Sequence, residues 1–273
     1  GAVWHYGDPL REQRKLAAGE AAVDLAHLPV FTVSGPDRLT WLHALSSQAF
    51  EGLAPGVGVS AFILDPQGHV EHTFTGVDDG ETFWAFTEAG HLEALLTHLT
   101  RMVFASRVEV ADVSDAWALI GGAGGVRRVP RGDLEGELGD TRAGMWASEA
   151  LRIAAGRPRV FLDADAKAIP NELANPEGDL LGESVHLKKG CYRGQETVAR
   201  VHTLGRPPRR LTLLHLDGSA ERLPEVGADV MSGEKVVGRM GTSAIHYELG
   251  PIGLALLKRN TPVDAPLSVE GIA

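Results

Sequence analysis

The sequence is short of cysteine, of long apolar runs and of positive charge. It has one cysteine, Cys191, among 273 residues, which excludes an intrachain disulfide and suits a reducing compartment. An iron–sulfur cluster normally needs four thiolate ligands, so this chain cannot hold one alone. Any role with such clusters must be that of a helper, or must share a cluster with a partner.

Apolar runs long enough to cross a bilayer are also missing. The longest stretches, such as residues 253–257, fall far short of the about 20 residues that a membrane helix needs. Residues 1–8 lack the basic and apolar regions of a secretory signal. The sequence therefore predicts a cytoplasmic protein without a membrane partner.

The formal net charge is -10, which disfavours nucleic acid and anionic membranes as partners. One segment, residues 188–210, reverses this balance with seven basic residues against one acidic residue, Glu196. The segment is either an anion-binding surface or an ordinary solvated charge run. Its basic residues are Lys188, Lys189, Arg193, Arg200, Arg206, Arg209 and Arg210.

Cys191 lies inside this basic segment. Lys188, Lys189 and Arg193 flank it, and a short helix is predicted over residues 195–201. Positive charge and a helix N-terminus both lower the pKa of a thiol, and the thiolate is the reactive form. We therefore interpret Cys191 as a reactive thiol. The alternative is a buried structural cysteine, since free cysteine is among the most buried residue types.

Hydrophobic periodicity predicts helices mixed with antiparallel strands before residue 204. Leucines at helical spacing predict a helix over residues 89–104, and alternation with turn residues predicts a β-meander over residues 59–87. After residue 204 the sequence shows only short β segments between glycine and proline turns, which predicts a small β-barrel or sandwich.

Other kinds of site have weaker support. The glycines at residues 121–125 do not complete a dinucleotide-binding register, so we interpret them as a flexible loop. The 11 histidines are scattered and predict no metal site. A cysteine hydrolase would pair Cys191 with a remote histidine such as His202 or His246, but the sequence gives no geometry for that pairing.

The run Lys-Gly-Cys-Tyr-Arg-Gly-Gln-Glu at residues 189–196, followed by Val-Ala-Arg, resembles the signature of the YgfZ family of folate-binding iron–sulfur maintenance proteins. That family is related to the glycine-cleavage T protein, an aminomethyltransferase. The resemblance covers almost the whole chain, although the landmarks outside the cysteine motif are individually weak. They include residues 24–28, 33–37, 64–68, 151–158, 169–172 and 250–253.

The resemblance implies an α+β, GcvT/YgfZ-like fold. Antiparallel sheets and helices in two intertwined subdomains would surround a central cavity over residues 1–204, and a small C-terminal β-barrel would follow over residues 205–273. It implies tetrahydrofolate, or another reduced folate, as the cofactor. The residues that it implies for function are Cys191 and Lys189 as catalytic groups, and Leu28, Trp146, Arg152, Glu172, Tyr192, Gln195 and Glu196 as cofactor contacts.

Two positions depart from the relatives. The T protein carries a catalytic aspartate where this chain has His72 and Thr73, so ordinary aminomethyl transfer is not expected, and Glu71 would substitute only after a register shift. Leu28 replaces one tryptophan of some relatives, and Trp146 is slightly offset from the other.

The sequence thus favours a tetrahydrofolate-binding protein that supports assembly or repair of iron–sulfur clusters in client enzymes. Its partners would be folate and iron–sulfur client or assembly proteins. One alternative is a folate-dependent aminomethyltransferase or demethylase-like enzyme, with Glu71 or Glu172 facing the pterin. Another is a binding module with an inert core cysteine.

Overall fold

A computed structural model describes residues 2–174, 183–220 and 222–273. These residues form one four-stranded sheet, two five-stranded sheets and several short helices. The helices are α1 (Pro9–Ala17), α2 (Arg38–Leu45), α3 (Leu92–Arg101), α4 (Leu134–Leu138), α5 (Met145–Ala154), α6 (Val160–Asp163) and α7 (Gln195–Leu204). Two 3-10 turns lie at Arg131–Asp133 and Pro170–Glu172.

The strands are β1 (Ala22–Asp24), β2 (Val30–Ser34), β3 (Gly58–Leu64), β4 (Val70–Asp78), β5 (Thr82–Phe86), β6 (Glu109–Asp112), β7 (Trp117–Gly122), β8 (Gly125–Pro130), β9 (Arg142–Ala143), β10 (Arg209–His215), β11 (Asp229–Ser232), β12 (Lys235–His246), β13 (Gly250–Lys258) and β14 (Ser268–Val269). Their order within the sheets is β3-β4-β5-β2-β6, β8-β7-β1-β9 and β10-β13-β12-β11-β14.

The first five-stranded sheet contains the predicted β-meander as β3, β4 and β5, all paired antiparallel. Helices α2 and α3 pack on one face of this sheet. Leu95 and Leu99 of α3 are fully buried there, beside the edge-to-face rings of Phe50 and Phe83. Full burial of such side chains stabilises the fold by about 1.5–3 kcal/mol each. The observed α3 is shorter than the predicted helix.

The four-stranded sheet contains a hairpin where the sequence predicts a flexible glycine loop. Strand β7 continues through Gly122, β8 begins at Gly125, and the two glycines are paired across the turn. Gly125 has a φ of 90°, a conformation that glycine adopts without a steric penalty. The glycines therefore allow a tight turn instead of a loose loop.

The third sheet holds the β structure predicted after residue 204. Helix α5 packs against it through Ala150 and Ile153, which share a core with Ala244 and Ile252. Asp163, at the end of α6, is fully buried and accepts hydrogen bonds of 2.6 Å from the backbone N–H and the hydroxyl of Thr242. The division at residues 1–204 and 205–273 stays a prediction.

No helix in the three described ranges combines the length and the apolar character required to cross a bilayer. The loop predicted over residues 169–183 lies partly outside the described residues, and its described start forms the turn Pro170–Glu172.

Candidate functional site

The chain approaches the cysteine motif along the segment that follows α2. Ser47 donates a hydrogen bond of 2.5 Å from its hydroxyl to the carbonyl of Ser184. Gln48 donates one of 2.9 Å from its side-chain amide to the carbonyl of Glu183, and the N–H of His186 donates to the carbonyl of Ser47. These bonds fix the direction in which the chain enters residues 188–194, which we name the Cys191 loop.

Lys189 anchors this loop to the C-terminal end of α2. Its ammonium group donates to the carbonyls of His43, Ser46 and Gln48, the last two at 2.5 and 3.1 Å. The His43 carbonyl lies in the last turn of α2 and carries part of the negative end of the helix dipole, so a buried cation stabilises it. Burial lowers the pKa of Lys189 to about 8, so the amine is still mostly protonated at neutral pH.

Tyr192 anchors the loop from the other side of Cys191. Its ring lies 5.0 Å from the Lys189 ammonium group and enters an apolar core. Burial raises the pKa of the phenol to about 12, so it stays protonated. The core around it comprises Phe62, Leu64, Val70, Val160, Ala164, Ala168, Leu173, Val185, Val198 and Leu256.

Gly194 seats the end of the loop on the turn at Asp65–Gly68. It has a φ of 79°, and a Cβ atom there would lie 2.5 Å from the carbonyl oxygen of Asp65 and 2.9 Å from the Cα of Gly68. Gly68 has a φ of 90° and faces Thr197 of α7 equally closely. Two turn motifs that are far apart in sequence therefore meet in one contact that only glycine permits.

Cys191 is exposed between these anchors. The loop is thus held by buried groups on both sides, while the thiol faces solvent. Two of its cationic neighbours already have protein partners. Lys189 donates to carbonyls at the end of α2, and Arg193 forms a 3.1 Å ion pair with Glu71. Lys188 is exposed. The interpretation of Cys191 as a buried core cysteine is therefore wrong.

Some basic side chains of residues 188–210 already have protein partners, so fewer are available to bind an anion than the sequence suggests. Arg209 pairs with the buried Glu172 and with Asp165, and these bonds raise its pKa. Arg210 donates to the carbonyls of Arg259 and Thr261. Arg209 thus connects the C-terminal sheet to residues 165–172, whereas the bonds of Arg210 lie within the C-terminal part of the chain. The exposed basic residues of the segment are Lys188, Arg193, Arg200 and Arg206.

A cavity of about 940 Å³ lies beside the Cys191 loop, between β4, α3 and residues 161–166. We name it the histidine cavity. Its ionisable lining groups are Glu71, His72, His91, Glu93, His98, Arg101, Asp165 and Arg193. Arg193 belongs to the Cys191 loop, so the loop contributes a wall of the cavity.

Two histidines face each other in this cavity. The rings of His72 and His98 are 5.2 Å apart, and the ring of His91 stacks on Phe161 at 3.8 Å. Burial, followed by the charges of His98, His91 and Arg193, lowers the pKa of His72 to about 4. Burial also lowers the pKa of His98. Both rings are therefore mostly neutral at neutral pH.

A second cavity, also of about 940 Å³, lies along the other side of α3 and shares four lining residues with the first. His27, Pro29, Leu92 and Leu96 line it. The Nδ1 atom of His27 is buried and has no hydrogen-bond partner within the described ranges. Burial and the nearby charge of Arg159 lower the pKa of this histidine. We name this space the α3 cavity.

These cavities suit a folate in size and in polarity. Small-molecule sites commonly have volumes of about 300–1,000 Å³, with apolar walls and a few polar groups. The α3 cavity offers the apolar side chains of Pro29, Leu92 and Leu96, while Arg101 and Arg193 line the histidine cavity. A pterin has an apolar face and polar edges, and a glutamyl tail is anionic. The residues present therefore fit the group.

The predicted cofactor contacts are not all brought to these cavities. Leu28 lies between His27 and Pro29, which line the α3 cavity. Trp146, near the start of α5, instead donates from its indole N–H to the carbonyl of Ile245 at 3.3 Å and lies 6.0 Å from Trp4. Neither cavity lining includes Trp146.

Arg152 and Glu172 lie in buried ion pairs. Arg152 pairs with Glu149 at 2.7 Å and with Asp163 at 3.0 Å. Both carboxylate oxygens of Glu172 accept hydrogen bonds of 2.8 Å from Arg209. These groups connect structural elements, and their contact with folate stays a prediction.

Gln195 and Glu196 form the first turn of α7, directly after Gly194. The N–H of Gln195 donates to the carbonyl of Tyr192 at 3.2 Å, and Glu196 is exposed. The motif thus begins at Lys189, which is bound to the end of α2, continues through the exposed Cys191 and ends in α7.

The pair of His72 and His98 was missed from the sequence. His98 shares a helix face with His91, but nothing in the spacing of the chain places His72 opposite them. The paired register of β4 and the packing of α3 decide that contact.

Two family models match the chain. The GCVT N-terminal domain matches residues 6–126, and the CAF17 C-terminal beta-barrel domain matches residues 209–273. These two matches, the YgfZ relatives and a T-protein structure support the predicted family, YgfZ/CAF17, which is related to the glycine-cleavage T protein. The predicted α+β, GcvT-like fold with a C-terminal β-barrel is confirmed.

Two curated proteins are similar to this chain. The tRNA-modifying protein YgfZ of Escherichia coli strain SMS-3-5 is 41% identical over 133 residues, which is 46% of this chain and 37% of that protein. A chloroplastic protein of Arabidopsis thaliana, whose name gives transferase as a provisional assignment, is 26% identical over 93% of this chain and 70% of its own length.

A solved structure has the same fold. The glycine cleavage system aminomethyltransferase T from Bartonella henselae superposes with a TM-score of 0.80 and 15% sequence identity. The superposition covers 98% of this chain and 86% of the other. At this identity the likeness describes the fold alone.

Proposed function

We propose that this protein binds tetrahydrofolate, or another reduced folate, and supports assembly or repair of iron–sulfur clusters in client enzymes. Cys191 supplies the reactive thiol. The observation that carries the proposal is the placement of Cys191, which is exposed on a loop held by Lys189, Tyr192 and Gly194. A fixed and accessible thiol suits exchange with a partner protein.

The folate part of the proposal is supported by the cavities on the two sides of α3. Together they provide apolar walls and the cationic Arg193. Arg193 lies two residues after Cys191, so a ligand in the histidine cavity would lie close to the thiol loop. Leu28 and Tyr192 are the proposed contacts nearest to these features.

Lys189 has a positioning role in this proposal, because its ammonium protons are directed at the carbonyls of His43, Ser46 and Gln48. It keeps the Cys191 loop against α2. A chemical step on Lys189 would require these bonds to break.

The aminomethyltransferase alternative has less support. His72 and Thr73 occupy the place of the relatives' acid, and the two carboxylates that could replace it are already paired. Glu71 bonds Arg193, and Glu172 bonds Arg209. A carboxylate paired with arginine is a weaker base than a free one, because the charge stabilises its ionised form.

The partners that we propose are folate and iron–sulfur client or assembly proteins, in the cytoplasm. A client that modifies tRNA would connect this role with the printed name of the Escherichia coli relative.

The test is complementation of a strain that lacks the protein. Cys191→Ser should fold like the wild type by circular dichroism, because the side chain is exposed, but should not restore the activity of an iron–sulfur client enzyme. Lys188→Ala, a change at an exposed neighbour, serves as the control. Full restoration by Cys191→Ser would refute the thiol role.

A further inference from the structure

We propose that the histidine cavity contains an oxyanion site formed by His72, His98 and Arg193, which takes a carboxylate or a phosphate group. The site extends the proposed function and rests on it in one respect, the identity of the ligand. When the ligand is a folate, the group bound at the site is a carboxylate of the glutamyl tail. Oxyanion binding itself is tested separately, with small anions.

The geometry gathers three nitrogen-bearing side chains from three elements. His72 comes from β4, His98 from α3 and Arg193 from the Cys191 loop. The two imidazole rings are 5.2 Å apart, and all three side chains line the same cavity of about 940 Å³. The walls can therefore surround a small group on several sides.

Two of the three carboxylates of the cavity are paired with arginines. Glu71 is paired at 3.1 Å with Arg193, a member of the proposed site, so an anion would compete with Glu71 for this guanidinium, and Asp165 is paired with Arg209 at 2.6 Å. The third carboxylate, Glu93 of α3, is exposed. His91 is stacked on Phe161. Within the described residues, neither His72 nor His98 has a carboxylate as a hydrogen-bond partner.

An oxyanion would reverse the electrostatics of the pair. Burial lowers the pKa of both His72 and His98, and neighbouring positive charges add to this effect, while the Glu71 carboxylate partly offsets it at His98. An anion that accepts hydrogen bonds from the ring nitrogens favours the imidazolium forms, because an opposite charge stabilises the protonated base. Binding should therefore take up protons, and affinity should rise as the pH falls.

A divalent metal is the competing ligand for two neutral imidazoles. A protein site normally supplies three or four ligands to such a metal. No group of three or more histidine, cysteine, aspartate or glutamate side chains in the described part of the chain has the arrangement to hold one. The arginine in the wall further favours an anion.

The experiment is isothermal titration of the full chain with sulfate, a tetrahedral oxyanion that stays fully ionised over this range, and with tri-γ-glutamate, at about pH 8 and about pH 6. We expect at least about tenfold tighter binding at the lower pH, because one proton taken up can give about tenfold per pH unit. Titration in two buffers of different ionisation enthalpy counts the protons directly. Equal or weaker binding at the lower pH would overturn the proposal.

Two variants and one control test whether His98 and Arg193 form the site. His98→Gln should remove most of the pH dependence, whereas His202→Gln, at an exposed position on α7, should not. Glu71→Gln frees Arg193 from its ion pair and should tighten anion binding several-fold. Unchanged affinity in Glu71→Gln, or an unchanged pH profile in His98→Gln, would contradict the site.

The two anions and tetrahydrofolate separate the possible outcomes. Stronger binding of triglutamate than of sulfate identifies a folate tail as the natural source, and the reverse identifies a ligand with a tetrahedral oxyanion such as a phosphate group. If tetrahydrofolate binds but neither anion does, the oxyanion site is refuted while the proposed function stands. If the anions bind but tetrahydrofolate does not, the oxyanion site stands and the folate role falls.

Discussion

Lys189 and Lys188 are adjacent lysines with opposite surroundings. Lys189 is buried against three carbonyls of the α2 end, and Lys188 is exposed. One lysine therefore stabilises the fold through buried hydrogen bonds, while the lysine next to it is exposed to solvent. A signature that contains Lys189 does not by itself make that lysine a catalytic group.

Lys189→Met should lower the free energy of unfolding by about 2–4 kcal/mol, because it leaves buried carbonyls without donors. Lys188→Met should change it by less than about 0.5 kcal/mol. Urea unfolding monitored by fluorescence measures both. A Lys189→Met protein with wild-type stability but no function would instead indicate a chemical role for the amine.

His72 should make the fold sensitive to acid. Its pKa is lowered from 6.5 to about 4 in the folded chain, so the unfolded chain binds more protons between these values. Stability is then complete above about pH 6.5 and decreases as the pH falls towards about 4.

For His72 we expect a loss of about 1 kcal/mol between about pH 7 and about pH 5, after a discount for its partial exposure to solvent. Urea unfolding at the two pH values measures this loss. His72→Gln should reduce it, and His202→Gln should not. An identical pH dependence in His72→Gln and the wild type would contradict the assignment.

Among the secondary-structure elements, the turn at Asp65–Gly68 and the start of α7 depend on each other. Gly194 has a positive φ and touches both the Asp65 carbonyl and Gly68. Gly190, in the same loop, has open space around its Cα. The two glycines therefore have different structural requirements.

Gly194→Ala should lower the free energy of unfolding by at least about 2 kcal/mol, since it adds left-handed strain to a backbone clash. It should also loosen the Cys191 loop, and proteolysis near residue 194 would detect this. Gly190→Ala should be nearly neutral in both measurements. Equal effects of the two substitutions would mean that the contact between the turns does not hold the loop.

The elements with strong local patterns could be predicted from the sequence. The leucine spacing of α3, the meander of β3 to β5 and the cysteine motif with its following helix depend on residues close together in the chain. The short β9 and the β8 hairpin strand were missed, since their pairing partners lie elsewhere and two to six residues carry little periodicity.

The site was only partly predictable for the same reason. The motif identified Cys191, and its exposure agrees with the predicted reactive thiol. The pairing of Arg193 with Glu71 spans 122 residues and the contact of His72 with His98 joins a strand to a helix. Such contacts follow from packing, which local patterns do not specify. The roles assigned to Trp146, Arg152 and Glu172 stay predictions.

Across the entire fold, buried ion pairs connect the C-terminal sheet to the rest of the chain. Arg152 of α5 bonds Asp163 and the hydroxyl of Thr242, and Arg209 of β10 bonds Glu172. Because removal of one partner leaves the other charge buried, these pairs should link the parts into one cooperative unit.

Asp163→Asn should therefore lower the free energy of unfolding by about 3–5 kcal/mol, with the loss seen in a single transition by both fluorescence and circular dichroism. Glu137→Gln, which breaks the exposed pair with Arg127, should cost less than about 1 kcal/mol. Two separate transitions in the wild type would show that the C-terminal sheet unfolds independently.

The proposed folate site and the thiol loop meet at Arg193. Titration of the purified protein with tetrahydrofolate, with the alkylation rate of Cys191 measured at each concentration, tests both at once. We predict saturable binding with one folate per chain and a change in alkylation rate that has the same midpoint. Absence of saturable binding, or an alkylation rate that does not respond to bound folate, would contradict a folate cavity beside a reactive cysteine.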